Sequence, residues 1–122
     1  IVHRDVAGQL VERIVERARG LRVGNGLHAD TEMGPLVNGD QLKRVLGYIE
    51  IGKGEGAQLR CGGAQLTAGD QAHGFFVQPT VFTGVTREMR IAREEIFGPV
   101  LSVIEVGSLD EALSVANEVA YG

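Results

Sequence analysis

Arg93-Glu94-Glu95-Ile96-Phe97-Gly98-Pro99-Val100 is the stretch on which the reading of this 122-residue chain turns. Two adjacent carboxylates, one aromatic and a Gly-Pro pair stand just before an apolar run, residues 100–106, that has the length and β-branching of a buried strand. Pro99 fixes its own φ and pushes Gly98 out of the helical region, so a helical turn over residues 89–92 has to open into loop before the strand begins. In an extended loop Glu95 and Phe97, two residues apart, lie on one side. A carboxylate beside an aromatic ring suits a nucleoside, because the carboxylate accepts hydrogen bonds from ribose hydroxyls while the ring packs on a flat heterocycle. The same residues also read as a solvated charge pair, Glu94 and Glu95, next to a core anchor, Phe97.

The flanking sequence supplies helices and short strands. Residues 1–3 read as the tail of a strand, and Asp5 is the expected cap of an amphipathic helix. Val6, Leu10, Ile14 and Ala18, with Val11 and Val15 beside them, form its buried face, charged residues the other, and Gly20 its left-handed terminator. Residues 21–36 are a Gly- and Asn-rich connector with a structural role. A second helix, 38–52, carries an apolar stripe of Leu42, Val45, Leu46 and Ile49, while Gln41, Arg44 and Tyr48 share a neighbouring edge. Gly52-Lys53-Gly54-Glu55-Gly56 has the composition of a phosphate loop in the wrong context. It follows a helix and precedes a strand, 57–61, so it reads as helix termination and turn. Residues 75–77 and 80–82 are short β segments around Gln78-Pro79. Beyond the 100–106 strand, Ser108 and Glu111 form a capping box for a last helix that turns Leu109, Ala112, Leu113 and Ala116 inward and ends over residues 117–122. This order of elements is α/β, a largely parallel sheet flanked by helices.

Composition narrows the function classes. The chain is long enough for one domain, and 43% apolar with 23% charged residues is the make-up of a soluble globular protein. A net charge of −4 and a pI near 5.3 argue against a nucleic-acid footprint. Nothing approaches the roughly 20 apolar residues of a membrane span, and residues 1–20 lack the form of a secretory signal. A lone cysteine fits a cytoplasmic protein. Cys61 stands at a strand end before Gly62-Gly63, with no base, cation or helix N-terminus beside it, and reads as structural. His3, His28 and His73 fall in separate segments without ligand spacing, so no metal site is expected.

Glu94-Glu95-Ile96-Phe97-Gly98-Pro99-Val100 resembles the signature of the aldehyde dehydrogenase superfamily, NAD(P)-dependent enzymes that oxidise aldehydes to acids through a cysteine thiohemiacetal and thioester. Met33-Gly34-Pro35-Leu36-Val37, Gly52-Lys53-Gly54-Glu55-Gly56-Ala57, Cys61-Gly62-Gly63, Gly74-Phe75-Phe76-Val77-Gln78-Pro79-Thr80-Val81 and Ala120-Tyr121-Gly122 resemble further landmarks in the same order. Together they are spread from residue 33 to residue 122. The resemblance implies that residues 1–122 are part of a catalytic domain cut at both ends, with no catalytic residue of its own, since the nucleophilic cysteine and the general base glutamate lie upstream. It implies NAD or NADP as cofactor, a small aldehyde as substrate (a semialdehyde, betaine aldehyde or a simple aliphatic one) and a homodimer or homotetramer. Carried over residue by residue, it gives Glu95 the nicotinamide ribose hydroxyls, Phe97 the nicotinamide ring, and Gln41 and Arg44 an approach to the same ribose. Many relatives have lysine at position 44; arginine keeps the charge and changes the donor geometry. From another class, a non-catalytic binding or assembly module is the competing reading of the chain taken alone.

Overall fold

Two sixteen-residue helices carry the architecture, α1 (Arg4–Arg19), which follows directly on β1 (Val2–His3), and α2 (Gly39–Gly54). In the computed structural model they are followed by β2 (Gln58–Cys61), a 3-10 turn (Gly69–His73), β3 (Thr80–Thr83), α3 (Arg90–Arg93), β4 (Val100–Ser102), β5 (Glu105–Val106) and α4 (Leu109–Asn117). The structure describes residues 1–120. Tyr121 and Gly122, with the end of the last landmark and of the expected terminal segment, lie outside the described residues.

β3 is the hub because it is buried on both faces. It pairs antiparallel with β2 and parallel with β4, while β1 and β5 form a separate parallel pair. Successive side chains of a strand point to opposite faces. Val81 accordingly joins Ala7, Val11 and Val15 of α1, and Phe82, with no exposed surface, joins Leu42, Val45 and Ile49 of α2. Burying a side chain of that size contributes about 1.5–3 kcal/mol. The result is the expected α/β arrangement, helices covering short strands of which two of the three pairings are parallel. Its function here is to fix α2 against the segment between α3 and β4.

Several local expectations are corrected. The cap of α1 is His3, whose Nδ1 accepts the Asp5 N–H at 3.3 Å, so Asp5 lies in the first turn. Gly20 ends that helix in the right-handed region, at φ −84. The buried face of α1 is rotated from the expected one: Ala7, Val11 and Val15 are buried, while Val6 and Leu10 are exposed. On α4 it is Val115 that is buried; Leu109 and Leu113 face out. Residues 75–77 contribute only a bridge from Val77 to Gln65. Most instructive is the run 100–106, which is two strands and not one. β4 pairs with β3, then the Val103 N–H donates to Phe82 O and the Val2 N–H donates to Ile104 O, so the run passes from one sheet to the other. Ser108 caps α4 as expected, accepting from the Glu111 N–H, and Asn38 caps α2 in the same way, accepting from the Gln41 N–H.

Candidate functional site

The site is built on the edge of α2 that carries Gln41, Arg44 and Tyr48. Residues three or four apart share a helix face, and all three side chains reach the segment 94–97. The Gln41 amide donates to Ile96 O at 3.0 Å and to Phe97 O at 2.8 Å. The Arg44 guanidinium donates to Glu95 O at 2.8 Å, and the Tyr48 hydroxyl to Glu94 Oε2 at 2.6 Å. The four sequence-expected site residues are thus brought together, Gln41 and Arg44 through the backbone of the loop that presents Glu95 and Phe97.

That loop alternates in and out. α3 stops at Arg93, and Glu94 is extended at φ −113, ψ 142. Ile96 is buried among Val45, Tyr48 and Phe82, whereas Glu95 and Phe97 on either side of it are exposed. Phe97 is 72% exposed, which rules out the core-anchor reading. It is also the only non-glycine residue with positive φ, +58, among the described residues. A large side chain held in the left-handed region and turned to solvent is a strained arrangement that its surroundings must impose. Here Gln41 holds the carbonyls on both sides of the Phe97 N–Cα bond, and Gly98 is packed so closely that a Cβ there would run into Val45.

The two glutamates have different environments. Glu94 accepts from Tyr48 and from Arg90 Nε and Nη2 at 2.8 and 2.9 Å, and these partners, Arg90 foremost, lower its pKa from the ordinary 4.5 to about 2. The carboxylate in turn raises the Tyr48 pKa and holds Arg90 firmly protonated. Arg44 and Arg90 both lie over the Tyr48 ring, 5.4 and 5.5 Å from its centroid. Among the described residues the Glu95 carboxylate has no hydrogen-bond or ion-pair partner. A free acceptor and an exposed ring, two residues apart in sequence, are the chemical groups that a ribose-bearing aromatic cofactor such as a nicotinamide nucleotide would take. Cys61, by contrast, is buried with its Sγ 3.8 Å from Pro79 O and no base beside it. An apolar cleft of about 500 Å³ lies between α1 and Pro79, Pro99 and Leu101, but neither Glu95 nor Phe97 lines it. Among the described residues no group of His, Cys, Asp and Glu is placed to hold a metal ion, and no helix is long and apolar enough to cross a membrane.

Comparison with known proteins places the chain in a family. The model of the aldehyde dehydrogenase family matches residues 1–122. The chain belongs to the aldehyde dehydrogenase family. It is 50% identical over 121 residues to a betaine aldehyde dehydrogenase of Brucella anthropi and 51% identical to that of Mesorhizobium japonicum, covering 99% of this chain and 25% of each relative. It superposes on the crystal structure of betaine aldehyde dehydrogenase from Staphylococcus aureus in complex with NAD+ with a TM-score of 0.96 at 34% identity, over all of this chain and 24% of that one. The NAD+ complex of an aldehyde dehydrogenase from Bacillus cereus gives 0.91 at 45% identity, over 98% and 24%. The chain therefore spans about a quarter of the length of the aldehyde dehydrogenases it matches. Within this family fold, sequence reasoning missed Arg90 and the pairing of Glu94 with Tyr48. The signals were present, an Arg-to-Glu spacing of four and a tyrosine one turn beyond Arg44, but such patterns recur on any charged helix edge.

Proposed function

We propose that this chain is the nicotinamide-end segment of the catalytic domain of an NAD-dependent aldehyde dehydrogenase that oxidises an aldehyde to a carboxylic acid. The observation that carries the reading is the pairing of an unpartnered Glu95 carboxylate with a strained, solvent-facing Phe97. Strain in an exposed aromatic has no packing benefit to offset it, and such outliers gather at functional sites. The bound nicotinamide supplies hydride acceptance. Glu95 accepts hydrogen bonds from the ribose hydroxyls, Phe97 packs near the ring and limits where it sits, and Gln41 and Arg44 border the same ribose while holding the loop. Hydride transfer depends steeply on that placement.

The nucleophile and the general base belong to the rest of a longer parent enzyme, about four times the length of this chain if it matches its relatives. The buried Cys61 favours this division, and the isolated chain is then inactive. Among aldehydes, betaine aldehyde is the first to try, given the names of the similar proteins. The reading also carries a cytoplasmic homodimer or homotetramer. The test is Glu95→Gln in the parent enzyme. Single-turnover hydride transfer is expected to slow about tenfold or more while cofactor affinity changes little, because most of the cofactor's contacts lie elsewhere. Unchanged hydride transfer removes Glu95 from the role.

A further inference from the structure

Contacts along the loop follow a strict order. As the loop runs from Glu94 through Glu95 to Ile96 and Phe97, its partners on α2 run backwards from Tyr48 to Arg44 to Gln41. Loop and helix edge lie antiparallel, tied at every step. Backbone carbonyls are the attachment points at Glu95, Ile96 and Phe97, but at Glu94 the attachment is the side chain. That carboxylate is held by three donors, the Tyr48 hydroxyl and two nitrogens of Arg90, and the Arg90 N–H is itself fixed by Glu55 Oε2 at 2.9 Å. A carboxylate that accepts a bidentate guanidinium and a hydroxyl together has little freedom left.

The loop is already anchored in the apolar cluster by Ile96 and tied to α2 through its carbonyls. The consequence of the Glu94 engagement is local. It fixes the chain immediately before Glu95 and separates two adjacent glutamates, one saturated and one free. An unfixed Glu94 is one peptide away from the free carboxylate and could offer the wrong acceptor, with Phe97 then released to leave its positive φ.

We propose that Tyr48, Glu94 and Arg90 form a positioning latch that sets the orientation of the 94–97 backbone and so aims Glu95 and Phe97 at the cofactor. The inference rests on the proposed role of Glu95 and Phe97. The latch residues touch neither substrate nor cofactor; they act through the loop.

The test uses the parent enzyme with two latch variants, Tyr48→Phe and Glu94→Gln, and the pair Tyr48→Phe with Glu95→Gln. Tyr48→Phe keeps the ring under both guanidinium groups and removes one donor, so folding is retained, and Glu94→Gln gives an independent measure. Each latch variant is expected to slow single-turnover hydride transfer about tenfold, below the roughly 10²-fold of a 1 Å misplacement, with the dissociation constant for NAD changed less than about threefold. In the Glu95→Gln background Tyr48→Phe is expected to add little, because residues acting as one unit are not additive. Unchanged hydride transfer in both latch variants, with only a lowered melting temperature, overturns the latch and makes the cluster purely structural. Should Glu95→Gln alone leave hydride transfer unchanged, the proposed role of Glu95 fails instead, and the latch stands or falls on the Tyr48→Phe rate.

Discussion

Phe97 sits at φ +58 with 72% of its surface exposed, and replacing it in two ways separates strain from contact. An L residue in the left-handed region costs about 1–2 kcal/mol. Glycine avoids that cost but loosens the unfolded chain, which takes back about 0.4–1 kcal/mol. Little more than a quarter of the ring is covered, on the order of 50 Å², so removing it forfeits about 1.4 kcal/mol at most. Phe97→Ala loses the contact and keeps the strain; Phe97→Gly loses the same contact and sheds it. The glycine variant is therefore expected to be the more stable of the two by about 0.5–1 kcal/mol, reversing the order found where backbone geometry is ordinary. Urea-unfolding midpoints of the two variants in the parent enzyme give this difference, and single-turnover hydride transfer should fall by similar factors in both, since both lack the ring. An alanine variant as stable as the glycine one refutes the strain argument. Unchanged hydride transfer in both refutes the functional one.

Gly98→Ala places a Cβ against the γ-methyls of Val45, a residue with no exposed surface, and overpacking of this kind costs about 1–3 kcal/mol. Adding Val45→Ala should recover part of that loss, a non-additivity that unfolding midpoints will show. Glu94 gives a pH prediction: its pKa falls from 4.5 to about 2 on folding, so its stabilisation is fully present above the ordinary carboxylate range and is lost as pH drops toward about 2. The stability gap between the wild type and Glu94→Gln is therefore expected to hold from pH 9 to 6 and to close in acid, which midpoints measured across that range will show.

What was legible in the sequence is what depends on spacing along one element. The edge formed by Gln41, Arg44 and Tyr48, the cap Ser108, and the loop that must separate the helical turn from the strand after Gly98-Pro99 all follow from local geometry, and all stand in the structure. What stayed hidden depends on partners distant in sequence. Periodicity gave α1 an apolar face but not its coverage, so Val6 and Leu10 read like Val11 and Val15. Hydropathy saw one strand in residues 100–106, because a change of pairing partner between Ser102 and Glu105 leaves no compositional mark. The cap of α1 was placed on Asp5 by residue preference, whereas His3 takes it because the same ring donates from Nε2 to Gly107 O and is already fixed. For the site, the residues of the loop were legible and its strain was not. Proline confines Gly98 to extended conformations, and the left-handed turn falls on Phe97, which nothing in its residue type foretells.

The separation of roles between Glu94 and Glu95 follows from where α3 ends. Had the helix continued through Phe97, successive side chains would have rotated by about 100° each, and Glu95 and Phe97, about 200° apart, would have faced away from each other. Because α3 lasts only four residues and Glu94 is already extended, the roughly 100° rotation of the helix ends at that point. Glu94 is still four residues from Arg90, close enough for the ion pair to form across the helix end, and it turns toward Tyr48. Beyond it Glu95 faces out, Ile96 enters the core and Phe97, at positive φ, faces out. One short helix, one extended residue and one Gly-Pro pair thus convert a run of two identical charges and two apolar residues into a held carboxylate, a free carboxylate, a core anchor and a presented ring. Lengthening α3 by a single turn would undo all four at once.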